Sequence, residues 1–141
     1  MMTEKYKIIG KFVKDMSSET SDIETHLFVR DHISRYQLKI DINSKPLKNK
    51  MIEINTSLRF QDKEVSQRKS FFELIFTTII KITNDIPEKK DLEKIVLCDV
   101  QIQIYPDLEK IFLSLLENSG YPGIKFEKKI DFVQLYNDKF N

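Results

Sequence analysis

One stretch, Ser70 to Thr83 (SFFELIFTTIIKIT), limits the folds open to this chain more than any other. Read at period two, Phe72, Leu74, Phe76, Ile80 and Ile82 fall on one face, interrupted only by Thr78. Phe71, Ile75 and Ile79 fall on the other, separated by Glu73, Thr77 and Lys81. Alternate side chains of a strand stand on opposite faces of its sheet, and the β-branched and aromatic content favours strand over helix. A strand here is apolar on both sides. One side is predicted to lie under the chain's own helices; the other needs a cover that 141 residues do not readily supply. That surplus of apolar surface is the first functional clue.

Three further segments alternate in the same way. Tyr6 to Val13 puts Tyr6, Ile8, Gly10 and Phe12 on one side, with Lys5, Lys7 and Lys11 on the other. Lys14 to Arg35 breaks the pattern and reads as a long irregular connection or crossover. Tyr36 to Asn43 points Tyr36, Leu38, Ile40 and Ile42 inward, and Ser44 to Lys50 carries turn residues. In Met51 to Gln61, Ile52, Ile54, Leu58 and Phe60 alternate with polar residues, and a polar link leads into the opening strand as a hairpin. An antiparallel meander follows, with one face packed and one partly free.

The period then changes to 3.6. Leu92, Ile95, Val96 and Val100 form one stripe, and Pro106 suits the first position of a second helix bearing Leu108, Ile111, Phe112 and Leu115. Asn118-Ser119-Gly120 closes that helix. Asp131, with Gln134 three residues on, caps a last helix with Phe132, Leu135 and Tyr136 on its apolar side. The predicted class is α+β: a four-stranded antiparallel sheet with helices packed on one face, in a single domain over residues 1–141.

Much chemistry finds no footing here. With 23 basic against 22 acidic residues there is no electrostatic footprint for nucleic acid. His26 and His32 lie six apart without the further ligands a metal needs, and read as surface residues. Cys98, the single cysteine, reads as a small apolar helix residue; a lone cysteine allows no intrachain disulfide and fits a reducing compartment. The three glycines form no phosphate-cradling loop, and no nucleophile elbow or paired-carboxylate motif occurs. No catalytic residue, cofactor or metal is expected. The N-terminus lacks an apolar run for a signal peptide, and no segment approaches the roughly 20 apolar residues of a membrane helix. The expected location is cytoplasmic.

Five segments carry a family resemblance. Phe12 to Glu19 (FVKDMSSE) resembles a YVKDLSFE segment, and Phe72-Glu73-Leu74 a strand VEL. Tyr105-Pro106 resembles an FP that opens a long helix. Gly120 to Ile124 (GYPGI) is similar to GFPPL, and Ile130 to Tyr136 (IDFVQLY) to IDFVALY. In this order and at this spacing they resemble the SecB family of bacterial protein-export chaperones.

That resemblance implies the same fold, a homotetramer built as a dimer of dimers, and an ATP-independent holdase. Such a holdase keeps unfolded precursor polypeptides in apolar grooves for the Sec pathway. Phe28 and Ile33 from the first connection, with Phe71, Ile75 and Ile79 from the fourth strand, are the groove candidates; a subunit interface is the alternative for the same residues. The family docks the SecA motor on acidic residues of the sheet. Asp15 and Glu19 match its KDxSxE positions and Glu73 its strand glutamate, although spacing alone reads them as a solvated face.

The chain also departs from the pattern. Its charge is balanced where the family is acidic, and Thr77-Thr78 replace paired glycines. It has no tryptophan, and Cys98 sits out of register with the family's CP. The sequence ends at Asn141, leaving no match for the flexible tail that helps some members grip the motor. The resemblance therefore implies client holding more directly than motor coupling. It also admits a SecB-like chaperone dedicated to one client, such as the antitoxin of a toxin–antitoxin pair. A reading from another class is a non-chaperone oligomeric interaction module.

Overall fold

The computed structural model describes residues 5–64, 68–83, 88–126 and 130–140. The sheet comprises β1 (Tyr6–Glu19), β2 (Tyr36–Pro46), β3 (Met51–Asp62) and β4 (Phe71–Ile82), all antiparallel and ordered β1-β4-β3-β2. Only β2, β3 and β4 form the predicted meander. β1 lies beside β4, so the chain must cross from one sheet edge to the other between β1 and β2. β4, apolar on both sides, takes an interior place with two neighbours. The lysine-studded β1 is left at an edge, where charge deters stray pairing.

β1 is longer than its predicted strand and carries two irregularities, one between Ile8 and Gly10 and one between Val13 and Asp15. Each extra residue inverts which side the next residues face. Tyr6 and Ile8 thus oppose Ile82 and Ile80 on the helix side, while Gly10 and Phe12 oppose Ile79 and Thr77 on the open side. The four were predicted to share one face; the bulge at Ile9 separates them. Lys11 turns to the helix side and meets Asp107 at 3.0 Å.

Lys14 to Arg35, predicted as an irregular connection or crossover, does contain that crossover but is mostly regular. β1 continues to Glu19, and α1 (Ile23–Asp31) and a 3₁₀ turn (Ile33–Arg35) follow. Asp22 caps α1, its Oδ1 accepting the Thr25 N–H at 2.8 Å. α1 buries only Thr25 and Val29, so no apolar stripe announces it.

α2 (Lys89–Lys94), a π turn (Ile95–Asp99) and α3 (Val100–Asn118) run as one unbroken helix. Pro106 lies inside α3, not at a helix start. Its ring denies the Ile102 carbonyl a donor, but both residues are exposed and water can satisfy that group. α3 ends as predicted: Gly120 has φ +98°, its N–H bonds the Glu117 carbonyl at 3.1 Å, and the Tyr121 N–H bonds that of Leu116 at 3.0 Å. These are the two bonds of a Schellman motif, with Leu116 and Tyr121 both buried beneath it. Asp131 caps α4 (Phe132–Phe140) through the Gln134 N–H at 3.0 Å. The Gln134 side chain bonds Asp138 instead of returning to the cap. Phe132 and Tyr136 are buried, but Leu135 is 42% exposed and lies off the apolar side it was assigned to.

The core lies between the sheet and α3. Ile54, Leu58, Phe72, Leu74 and Ile80 meet Val100, Ile104, Leu108, Phe112 and Leu116, all fully enclosed. Burying each large side chain contributes about 1.5–3 kcal/mol. One polar tie crosses this core: Thr56 Oγ1 donates to Gln101 Oε1 at 3.0 Å, and Gln101 Nε2 donates to the Val96 carbonyl in the π turn at 3.1 Å. Cys98 is buried as expected, and burial pushes its thiol up.

Candidate functional site

The five groove candidates fall in two different places. Phe71, Ile75 and Ile79 lie on the open side of the sheet, where Phe71 is 46% exposed and Ile75 and Ile79 are half-buried. Phe12 of β1, opposite Thr77, extends this patch. Phe28 and Ile33 instead pack against the helix-side core. Among the described residues no single groove joins the two sets.

The three carboxylates matched to motor docking do share the open side. Asp15 opposes Ile75, Glu19 opposes Phe71, and Glu73 opposes Ser17, whose hydroxyl reaches Asp15 at 3.2 Å. Glu73 is already engaged by Arg59 Nε, and its side chain is only 13% exposed. By the same register, Lys7, Lys39, Lys45, Arg59 and Lys81 lie on this side with Asp41 and Glu53. The open side is a balanced field, not an acidic one; of the three matched carboxylates only Glu73 is held in an ion pair among the described residues.

The other site runs beside β2, the far edge strand. At the Tyr36 end is a hollow of about 900 Å³ walled by Ile33, Leu38, Phe60, Ile124, Phe126 and Ile130. At the Pro46 end is one of about 390 Å³ walled by Ile42, Pro46, Ile52, Leu92, Val96 and Leu97. Ile40, half-buried, lies between them along the strand. The larger hollow is bordered by Lys63 and Lys125, and at the strand edge by Lys39, whose side chain the register sends to the open side, with no carboxylate among the described residues. Of the groove candidates only Ile33 lines this trough. The sequence had placed Leu38, Ile40 and Ile42 inward, and their alternation reads the same for a closed core and for an open trough. Only the position of β2 at an edge distinguishes the two.

The wall at the Ile33 end is braced by named contacts. Phe28 stacks on His32 at 4.1 Å, and the Arg35 guanidinium lies 5.6 Å from the Phe28 ring. Arg35 reaches Asp62 at 2.8 Å and Glu64 at 2.9 Å. Burial alone would raise the Asp62 pKa, but the Glu64 N–H and Arg35 outweigh it and hold the carboxyl below its usual value. Ser70, buried, gathers Thr20, Tyr36 and Tyr121 through contacts of 2.7, 3.1 and 3.0 Å. His26 packs on Tyr121 with ring centres 4.9 Å apart. Both histidines are therefore packing residues, not the surface residues their spacing suggested. Among the described residues no cluster of potential metal ligands occurs, and no helix is long and apolar enough to cross a membrane.

A sheet backed by one long helix, open on its other side and bordered by an apolar trough, describes a class of protein that offers extended apolar surface. The family model described as preprotein translocase subunit SecB matches residues 2–141. A SecB protein of Pelagibacter ubique is 61% identical over 140 residues, covering 99% of this chain and 100% of that protein. The protein-export protein SecB of Parvibaculum lavamentivorans is 25% identical over 135 residues, covering 94% of this chain and 77% of that one. The fold is similar to that of a Mycobacterium tuberculosis SecB-like chaperone solved in complex with a peptide from the HigA1 antitoxin. The TM-score is 0.63 at 11% identity, covering 89% of this chain and 91% of that one. The chain belongs to the SecB family, and its function is that of a SecB-type protein-export chaperone.

Proposed function

We propose that the trough beside β2 is where this chaperone holds unfolded and precursor polypeptides, without ATP or cofactor. The observation that carries this is the row of half-buried Leu38, Ile40 and Ile42 between two apolar hollows at the edge of the sheet. An elongated trough accepts many sequences, as a holdase requires, because it has no closed shape to match. Ile33 belongs to the trough and Phe28 braces it. Phe71, Ile75 and Ile79 form a separate patch, better suited to contact with another folded surface. Asp15 and Glu19 are the residues offered to a motor such as SecA, Glu73 being held by Arg59. The 141 residues act as one cytoplasmic domain, and four copies assemble as a dimer of dimers. Exposed Phe12, Val13 and Met16 on edge strand β1 and exposed Ile102 on α3 support that assembly.

The test is suppression of aggregation when a chemically unfolded, slowly refolding protein is diluted with this chain at near-stoichiometric ratio, without ATP. Ile33→Asp and Phe126→Asp should abolish protection while Phe71→Asp retains it. Protection lost with Phe71→Asp and kept with the other two would move the client site to the open side. The antitoxin peptide held by the mycobacterial relative supports a second reading, a chaperone dedicated to one client. In that case several unrelated clients would aggregate unprotected.

A further inference from the structure

We infer that the end of the sheet bearing the β2–β3 hairpin docks on an anionic lipid surface, lying against the headgroups without inserting. The near-equal totals of 23 basic and 22 acidic residues conceal a segregation along the open side. By the register, Lys7 of β1, Lys45 of β2 and Lys81 of β4 stand on that side at this end. Lys5 is at the same end, its carbonyl accepting the Thr83 N–H at 3.0 Å, and Lys48 and Lys50 belong to the hairpin turn. Among the described residues Glu53, between Lys45 and Lys81, is the one carboxylate on the open side here, whereas Asp15, Glu19 and Glu73 lie toward the other end. On the helix side α2 begins beside Pro46 with Glu88, Lys89, Lys90 and Asp91, two charges of each sign, so the positive field belongs to the open side.

Two of these lysines stand where the fold itself would favour something else. Lys7 directly opposes Lys81 across the β1–β4 ladder, and like charges placed so destabilise a sheet. Lys50 has φ +61° and follows Asn49 at +62°, in a hairpin turn whose second position favours glycine. Neither placement serves the fold; a negative surface outside it would relieve the first and use the second. The residue types select the kind of surface. All four arginines, whose planar forks suit one bidentate site, lie elsewhere and meet carboxylates: Arg30 with Asp31, Arg35 with Asp62, Arg59 with Glu73 and Arg68 with Asp22. This end has lysines, flexible point charges spread across four strands, about 15 Å. Tyr6, the aromatic residue between Lys5 and Lys7, turns to the helix side and bonds Gln103 at 2.8 Å, so a nucleic-acid base finds no ring to stack on among them. A broad field of lysines matches a headgroup layer, which presents negative charge over an area and asks for no fixed geometry.

The test is flotation of the full chain with vesicles of equal parts phosphatidylglycerol and phosphatidylcholine, against phosphatidylcholine alone. Binding is expected to the first and not to the second, and should disappear at about 1 M salt, where the screening length is roughly 3 Å. Lys7→Gln with Lys81→Gln should lower partitioning about thirtyfold, the equivalent of about 1 kcal/mol for each lysine. That double variant should hold or raise the urea midpoint, because an opposed like-charge pair is removed. Lys45→Gln with Lys48→Gln, away from the β1–β4 ladder, should weaken partitioning to a similar degree. Lys69→Gln with Lys110→Gln, an equal change of net charge at exposed positions elsewhere, should leave it nearly unchanged. No flotation with the anionic vesicles, or equal loss from all three double variants, overturns the docking surface. Tighter capture by single-stranded or duplex DNA than by the vesicles overturns the lipid assignment.

Discussion

Gly120 is the most exacting single position in the frame that holds the trough. Its φ of +98° is left-handed, and a methyl group added there would stand 2.6 Å from Cε1 of His26. In Gly120→Ala the left-handed backbone costs roughly 1–2 kcal/mol. The imidazole must also withdraw from its tilted contact with Tyr121, forfeiting about 0.5–1.5 kcal/mol. The sum, about 2.5 kcal/mol, corresponds to a fall in Tm of roughly 8 °C for a domain of this size. Urea unfolding followed by circular dichroism measures it, at fixed protomer concentration because assembly adds to apparent stability. Adding His26→Ala removes the collision but not the backbone strain, so the double variant should recover about 1 kcal/mol relative to additivity. Strict additivity, or a single variant within 0.5 kcal/mol of the parent, would refute the reasoning. Because Tyr121 leads directly into Pro122, Gly123 and Ile124 of the larger hollow, client protection should weaken together with stability.

Two further outcomes are expected. The hydroxyl and the N–H of Thr25 lower the Asp22 pKa below 3.8, with a smaller contribution from Arg68. Its stabilising effect is therefore complete above the unfolded pKa and lost as pH falls through the folded value. Asp22→Asn keeps the cap but not the titration, so its stability should vary less with pH across that range; an unchanged acid profile in urea melts would count against the assignment. Asp15→Lys with Glu19→Lys should weaken capture of a SecA-type motor in a salt-sensitive manner while leaving aggregation suppression intact, and equal loss of both activities would place these residues elsewhere in the mechanism.

The sheet and the faces of β4 were legible because β-branched and aromatic residues favour strand and Glu73, Thr77 and Lys81 mark the more polar of its two faces. The Gly120 and Asp131 signals were legible because they depend on local backbone chemistry. What the sequence hid depends on distant partners. α1 has no stripe, and only the Asp22 cap marks it. Pro106 is tolerated mid-helix because α3 is held by Leu108, Phe112 and Leu116 on the core and not by its own bonds. The pairing of Glu73 with Arg59 depends on the register of the β3–β4 hairpin, which its long polar link does not fix. The trough depends on β2 being last in the sheet, which no feature of Tyr36 to Pro46 discloses.

The two bulges of β1 bear on how this chain is compared with its relatives. Between Ile9 and Lys14 the alternation runs opposite to that on either side, so a comparison by hydrophobic pattern alone falls out of phase there and returns to phase afterwards. Each bulge is also a place where one residue can be gained or lost without disturbing the pairing beyond it. Length differences among relatives should gather at these two points. A surface residue transplanted between family members across β1 will arrive on the wrong side of the sheet unless its bulge travels with it.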